Sequence, residues 1–314
     1  MPSKWAIIGA SGFVGHYLQR HLASEFALVG TYHAHPLKDW PRSVPLDITD
    51  PKQVTPFLEK EQPSGVMLTA AISDPNEVKA DPANAATVNV AGSATVAAAC
   101  AHQNIPFLHF STDYVFNSPR EVRLIAEDDK IARHPVNEYG RFKLAAEEVV
   151  RAKYPTATIL RIAMVYGWRP SPMSRSNFVL NVLKTLRAGK SIEVFTDQYG
   201  APTYIGDIIR FMPILLRAME AGSAEGETYH LAGQGPITRY DFAVEIARAF
   251  HLEDKAALIR AVHQSETDTR VLRPFCSALD TRKIRRIFKF TPSTHQEGLA
   301  KMREETLGGD PSIL

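Results

Sequence analysis

The sequence predicts an α/β protein, a doubly wound parallel sheet with a smaller α/β domain toward the C terminus. Two observations carry the prediction. Short apolar runs alternate with amphipathic or alanine-rich stretches through the first two thirds of the chain, the rhythm of parallel strands joined by helices on both faces. The first run opens into a glycine turn, "AIIGASGFVG", at which a helix begins. A chain of 314 residues is long for one compact domain and suits two.

Taken in order, "WAIIG", "ALVGTY", "GVMLTAA", "FLHFS" and "TILRI" read as strands. Between them, "TDPKQVTPFLEK" shows how a helix starts: Asp50 as N-cap, Pro51 at the first helical position and Gln53 where a capping box needs it. After "VYGWRPSPMSRS", rich in Pro and Ser, the pattern becomes mixed, with a helix at "NFVLNVLKTLRAG", a strand near "SIEVF" and a loop at "TDQYGAPTYIGD". The stretch "ARAFHLEDKAALIRAVHQSETDTR" reads as a helix, a short strand and a polar loop. The expected division is a dinucleotide-binding domain at 1–166, rejoined by about 204–232, and a substrate domain at 167–203 and 233–314.

Charge and cysteine content narrow the function. A formal net charge of +2, from 36 basic and 34 acidic residues, gives no electrostatic reason to expect nucleic acid or a membrane surface. No apolar run approaches the roughly 18 residues a membrane span needs. Cys100 and Cys276 are the only cysteines and lie far apart, which argues against a disulfide framework or a metal site. With no signal-peptide core ahead of "WAIIGASG", the expectation is a cytoplasmic chain.

The glycine turn has the context of a Rossmann-type dinucleotide site. Gly9 permits the tight turn, Gly12 lets backbone N–H groups approach a pyrophosphate at the helix N terminus, and Gly15 lets helix and strand pack closely. The candidate cofactor set is Gly9, Ser11, Gly12, Phe13, Val14 and Gly15, with His33, Asp47, Ile48, Ala70, Ala71, Asn89, Tyr139 and Lys143. An NAD site usually carries an acid at the end of the second strand, and "TYHAHPLK" has none; His33, His35 and Lys38 suit a 2′-phosphate, so the reading leans to NADP over NAD, with Asp39 close enough to weaken it. Asp47 stands where a carboxylate could accept the adenine amino group, or is a turn residue. Ala70 and Ala71 end a strand and leave room for a cofactor beside the backbone.

A second constellation lies downstream. The strand "FLHFSTDYVF" brings Ser111 and Thr112 to its carboxyl end, where open α/β sheets bind ligands. In "NEYGRFK", Tyr139 and Lys143 are four residues apart, about 40° apart around a helix, so phenol and ammonium can meet one ligand. Alone, that spacing is weak; its company gives it weight.

The motifs "GASGFVG", "STDYVF", "NEYGRFKLAAEE", "DQYGAPTY" and "RPFCSALDTRKI", in this order, closely resemble the extended short-chain dehydrogenase/reductase family and its dTDP-4-dehydrorhamnose reductase branch. The Gly-x-x-Gly-x-x-Gly spacing is that family's variant of the dinucleotide turn. The resemblance implies NAD(P)H-dependent reduction of a nucleotide-activated 4-keto-6-deoxy sugar, as in dTDP-rhamnose biosynthesis. It implies Thr112, Tyr139 and Lys143 as the catalytic set, with Tyr139 donating a proton, Thr112 bonding the carbonyl oxygen, and Lys143 lowering the phenol pKa and holding the nicotinamide ribose. It also implies that Asn89 helps order the active-site helix and that Tyr114 lies near the sugar.

Substrate candidates are Tyr114, Met164, Gln198 and Arg273. Met164, in "RIAMVY", stands where the reductases commonly carry a tryptophan that walls the sugar pocket, and Ser118 replaces a glycine, so the particular hexose stays open. Arg273 suits a pyrophosphate held bidentately, or pairs with a nearby carboxylate. The stretches "RIAMVYG" and "TRYDFAVEIARAF" also resemble the regulatory β subunit of methionine adenosyltransferase, which implies an NADP-binding partner protein; a nucleotide-sugar epimerase is a further alternative. Relatives often form homodimers, and the apolar helix "AATVNVAGSATVAAAC" is compatible with one.

Overall fold

The computed structural model describes residues 2–36, 40, 43–118, 121–130, 132–168, 176–264 and 271–307. In chain order the elements are β1 (Lys4–Ile8), α1 (Phe13–Leu22), β2 (Ala27–Tyr32), β3 (Ser43–Pro45), α2 (Pro51–Glu61), β4 (Gly65–Leu68), α3 (Pro75–Ala80), α4 (Pro82–Ala86), α5 (Ser93–His102), β5 (Phe107–Thr112), α6 (Glu138–Lys153), β6 (Thr158–Ile162) and β7 (Val165–Tyr166). There follow α7 (Phe178–Arg187), β8 (Ile192–Phe195), β9 (Tyr199–Gly200), β10 (Thr203–Tyr204), α8 (Ile205–Glu220), β11 (Thr228–Leu231), β12 (Ile237–Thr238), α9 (Arg239–Ala249), β13 (Ile259–Val262), α10 (Arg282–Phe288) and α11 (His295–Leu307). A π-helical turn, Thr87–Gly92, joins α4 to α5, and a 3-10 turn, Asp113–Val115, follows β5. Two compact units result: Met1–Thr112, Asn137–Arg161 and Ile209–Tyr229 form one, and Asp113–Val136, Ile162–Ile208 and His230–Leu314 the other.

The first unit is built on a seven-stranded sheet in the order β11-β6-β5-β4-β1-β2-β3, with β3–β2, β2–β1, β1–β4 and β4–β5 parallel. Every residue of β4 and β5 is buried, as expected for strands covered by helices on both faces. One core cluster joins Ala6, Ile8, Val66, Leu68 and Phe107 of the sheet to Val96, Ala97 and Cys100 of α5. The apolar sequence of α5, compatible with a dimer face, is thus used in the unit's own core. Strand order reverses around β1, which has β2 on one side and β4 on the other, and the crevice beyond the strands' carboxyl ends there is where such sheets take ligands.

Local chemistry accounts for the element starts. Asp50 caps α2 by accepting from the Lys52 N–H at 2.9 Å, with Pro51 as the first helical residue. Gln53 reaches back, but its Oε1 takes the Asp47 N–H at 3.1 Å, three residues before the cap, instead of the Asp50 N–H, so the capping box is not closed in its usual form. β4 stops at Leu68, short of the expected Ala71: the N–H groups of Thr69 and Ala70 both donate to the Ile8 carbonyl, which ends the regular ladder. Among the described residues no helix is long and apolar enough to cross a membrane.

The second unit contains three two-stranded pairs, β10–β7, β12–β9 and β13–β8. The segment 113–136, which the sequence pattern groups with the first domain, belongs here. Its backbone N–H groups at Ser118 and Ile125 donate to the Cys276 and Ala278 carbonyls at 2.8 Å, and Ser277 donates to Asp113 at 2.6 Å.

Candidate active site

In the first unit most candidate residues follow the carboxyl end of a strand: the Gly9–Gly15 turn after β1, His33 after β2, Asp47 and Ile48 after β3, Ala70 and Ala71 after β4, and Thr112 at the end of β5. Parallel strands therefore bring to one edge residues that are far apart in sequence. Gly9 has φ +94°, and a Cβ there would lie 2.5 Å from the Ala70 nitrogen. A Cβ on Gly15 would collide with the Gly9 carbonyl and Ala10. Gly12 differs: it is the exposed N-cap of α1, in an extended conformation, and its added Cβ would meet only the Gly9 carbonyl oxygen, at 3.3 Å. The turn itself thus requires Gly9 and Gly15, while the space beside Gly12 opens outward. No side chain caps α1 and no acid sits in its first turn, leaving the N–H groups of Phe13, Val14 and Gly15 to an anion, alongside the half-buried Ser11. These features fit a dinucleotide pyrophosphate.

The remaining cofactor candidates divide. His33 and His35 are exposed just past β2; Lys38 and Asp39 lie outside the described residues. Asp47 takes the Thr49 N–H at 2.9 Å and the Thr49 hydroxyl at 2.7 Å, a turn geometry that holds its carboxyl below the usual range, helped by the nearby His33. Ile48 is buried in the core against Gly92. Asn89, in the π-helical turn, grips the Ile72 backbone at both edges, accepting from its N–H at 2.8 Å and donating to its carbonyl at 2.9 Å. Asn89 therefore orders the loop after β4, next to Ala70 and Ala71, and its direct partner is not the Tyr/Lys helix.

Helix α6 starts where it does because Asn137 caps it, accepting from the Gly140 N–H at 2.9 Å, so Tyr139 sits half-buried in the first turn and Lys143 one turn deeper. Lys143 is 3% exposed. Its ammonium donates to the Phe110 carbonyl at 2.8 Å and lies 3.3 Å from His109 Nε2, both on β5. Among the described residues no carboxylate pairs with it, and burial pulls its pKa down to about 8 against the pull of Glu147. Glu147, one further turn along, is clamped bidentately by Arg161 of β6 at 2.7 and 2.8 Å and accepts from the Ser111 hydroxyl at 2.6 Å, all buried. α6 is thereby fixed to β5 and β6, with Thr112, Tyr139 and Lys143 on the elements so joined.

Sequence reasoning missed His109, Glu147 and Arg161. A signal existed: a titratable or charged residue inside strands as apolar as "FLHFS" and "TILRI" must have a buried partner.

In the second unit, Tyr114, Gln198 and Arg273 are brought together by a residue the sequence did not single out, Gln264. Its side chain accepts from the Arg273 N–H at 2.8 Å and from Gln198 Nε2 at 2.8 Å, and donates to the Arg273 carbonyl at 3.1 Å. Arg273 in turn donates to the Tyr114 hydroxyl at 3.1 Å, with its guanidinium 5.6 Å from that ring's centre. Among the described residues no carboxylate lies within ion-pair range of Arg273; Glu266 and Asp268 lie outside them. Met164 follows β6 with φ +42°, an uncommon conformation for a residue with a side chain, and its sulfur lies where a Cβ on Gly200 would come within 2.6 Å. The buried Ser118 is held by backbone bonding to Cys276.

Residues 4–307 match the family described as the RmlD substrate binding domain. The chain belongs to this family. Membership in the RmlD substrate-binding-domain family, part of the extended short-chain dehydrogenase/reductases, makes it an oxidoreductase. Within the family it is 33% identical over 298 residues to a probable low-salt glycan biosynthesis reductase of Haloferax volcanii, covering 94% of this chain and 96% of that one. It is 30% identical over 305 residues to a dTDP-4-dehydrorhamnose reductase of Aggregatibacter actinomycetemcomitans, covering 96% and 98%. The crystal structure of the Bacillus anthracis dTDP-4-dehydrorhamnose reductase in complex with NADP superposes with a TM-score of 0.81 at 25% identity, covering 97% of this chain and all of that one.

Proposed function

We propose that this chain reduces the 4-keto group of a nucleotide-activated 6-deoxy sugar, using NADPH in preference to NADH. The observation that carries the reading is the arrangement on β5 and α6: Thr112 at the strand's end, Tyr139 in the first turn of a capped helix, and a buried Lys143 ammonium without a carboxylate partner among the described residues. When bound, the nicotinamide supplies hydride to the sugar carbonyl carbon. Tyr139 gives its phenolic proton to the oxygen that becomes the alcohol, and the Thr112 hydroxyl donates a hydrogen bond to that oxygen. An ammonium not neutralised by a counter-ion favours tyrosinate, which lowers the phenol pKa from about 10 toward the working pH. The Gly12 face of the α1 turn is suited to the pyrophosphate, and the exposed His33 and His35, with no acid from Thr31 to Lys38, favour a 2′-phosphate. Arg273, held beside Tyr114 and Gln198 by Gln264, is suited to the sugar nucleotide's own diphosphate. The free, buried thiols of Cys100 and Cys276 suit a reducing compartment such as the cytoplasm.

The test is the loss of NADPH absorbance on adding dTDP-4-dehydrorhamnose, repeated with NADH. Tyr139→Phe lowers turnover about 10²–10⁴-fold with NADPH affinity and folding retained, because only the proton donor is lost. Turnover equal to that of the unaltered chain refutes the assignment, and equal efficiency with NADH refutes the cofactor preference.

A further inference from the structure

His109 lies within β5 at 1% exposure, with Nε2 3.3 Å from Lys143 Nζ. An ammonium offers only N–H donors, so the imidazole nitrogen facing it must accept, which puts the ring's single proton on Nδ1. Burial, the Lys143 charge and the more distant Arg151 all hold the ring neutral. Among the described residues Nδ1 has no hydrogen-bond partner. A buried donor without a partner lowers stability, and an apolar ring could stack beside Phe107 in the same place without that penalty. What histidine adds here is the Nε2 acceptor.

We propose that His109 is a positioning residue for the Tyr139–Lys143 pair: Nε2 and the Phe110 carbonyl form a seat of two neutral acceptors that keeps the Lys143 ammonium charged and in place. The proposal rests on the catalytic reading above. A carboxylate could also hold the ammonium, but would cancel its effect on Tyr139. The charged and titratable groups around Lys143 are Tyr139, Glu147 and Arg151 on its own helix, His109 on β5 and Arg161 on β6; the helices packed on α6 add Glu77 and Lys79 from α3 and His102 from α5. Of these, Glu147 raises the Lys143 pKa, and Glu147 is itself engaged by Arg161.

The sign of the pH effect follows. Reduction needs Lys143 charged, so activity falls as pH rises through its pKa, which burial has brought to about 8. Loss of a neutral acceptor disfavours the charged form further, which moves this basic limb to lower pH. Glutamine can place an amide oxygen near the Nε2 position, whereas asparagine reaches only as far as Nδ1.

The experiment compares His109→Phe, His109→Gln and His109→Asn by pH profiles of dTDP-4-dehydrorhamnose reduction, with thermal unfolding as the check on folding. The expected result is a basic limb displaced downward by about one pH unit in His109→Phe and His109→Asn, and restored in His109→Gln. A limb that stays in place in His109→Phe, or is restored equally by asparagine and glutamine, overturns the proposal; should the Phe variant not fold, the Gln and Asn pair decides alone. Nitrogen NMR of the cofactor-free protein gives a second reading: Nδ1 protonated and Nε2 bare supports the seat, and Nε2 protonated overturns it. The catalytic reading fails separately, if Lys143→Met keeps the turnover and pH limb of the unaltered chain.

Discussion

Around Tyr139, in the first unit, position is fixed by a helix cap, one backbone and one side-chain acceptor for Lys143 and a buried ion pair, whereas around Arg273, in the second, it is fixed by neutral amide side chains, the buried Gln198 and the half-exposed Gln264. The two regions suit different tasks. A proton donor must be held within tenths of an ångström of its acceptor, and charged groups buried with full partners tolerate little displacement. Binding the remote end of a substrate asks less, and amide hydrogen bonds contribute about 0.5–1.5 kcal/mol each, enough to bias a side chain without freezing it. The contrast predicts that substitutions near Tyr139 cost stability and chemistry together, while those near Arg273 change affinity alone.

The largest effect on stability is expected at Glu147. Glu147→Ala strands the buried Arg161 guanidinium and leaves the Ser111 hydroxyl without its acceptor, at a cost of about 3–5 kcal/mol. Denaturant unfolding measures it. Replacing both partners, as Glu147→Leu with Arg161→Met, recovers much of the loss, because no unpaired charge remains buried. A single-variant loss under about 1 kcal/mol, the range of an exposed pair, would break the contrast between the two regions.

An intermediate case separates the needs of the fold from those of the ligand. Gly12→Val places its Cβ against only the Gly9 carbonyl oxygen, at φ −72°, so the chain folds after a shift of tenths of an ångström, whereas the same change at Gly15 meets Gly9 and Ala10 directly. NADPH binding by calorimetry is expected to be lost in Gly12→Val with the unfolding midpoint nearly unchanged. Retained binding would remove the pyrophosphate from the α1 N terminus.

These two regions also differ in how far the sequence discloses them. The glycine turn and the Tyr139/Lys143 spacing are local: each is complete within seven residues, so chain geometry alone puts their atoms together. The strand rhythm is local too, which is why the central sheet is legible, while β3 and β11, of three and four residues, are too short to declare a period. The seat under Lys143 joins positions 34 apart, and the Gln264 cluster joins positions 66 and 159 apart with no motif at either end. Only the sheet register and the loop packing of the second unit create those pairs. The same limit accounts for segment 113–136, whose membership in the second unit depends on backbone bonds to residues 276–280 that no nearby pattern announces.

The smallest expected effect is the sharpest test of the second region. Gln264→Leu keeps the side chain's size but removes the acceptor shared by the Arg273 N–H and Gln198, and the donor to the Arg273 carbonyl. Arg273 keeps its own bond to Tyr114, so it is loosened, not lost. The Michaelis constant for dTDP-4-dehydrorhamnose should rise about 3- to 10-fold, the equivalent of one neutral hydrogen bond, with kcat and NADPH affinity unchanged. In an Arg273→Met background, which itself raises the Michaelis constant, the Gln264 substitution should have little further effect, because a residue that acts by positioning another has nothing left to position. Additive effects would show Gln264 meeting the substrate directly, and a fall in kcat would show that the amide cluster and the Tyr139 chemistry are not separable.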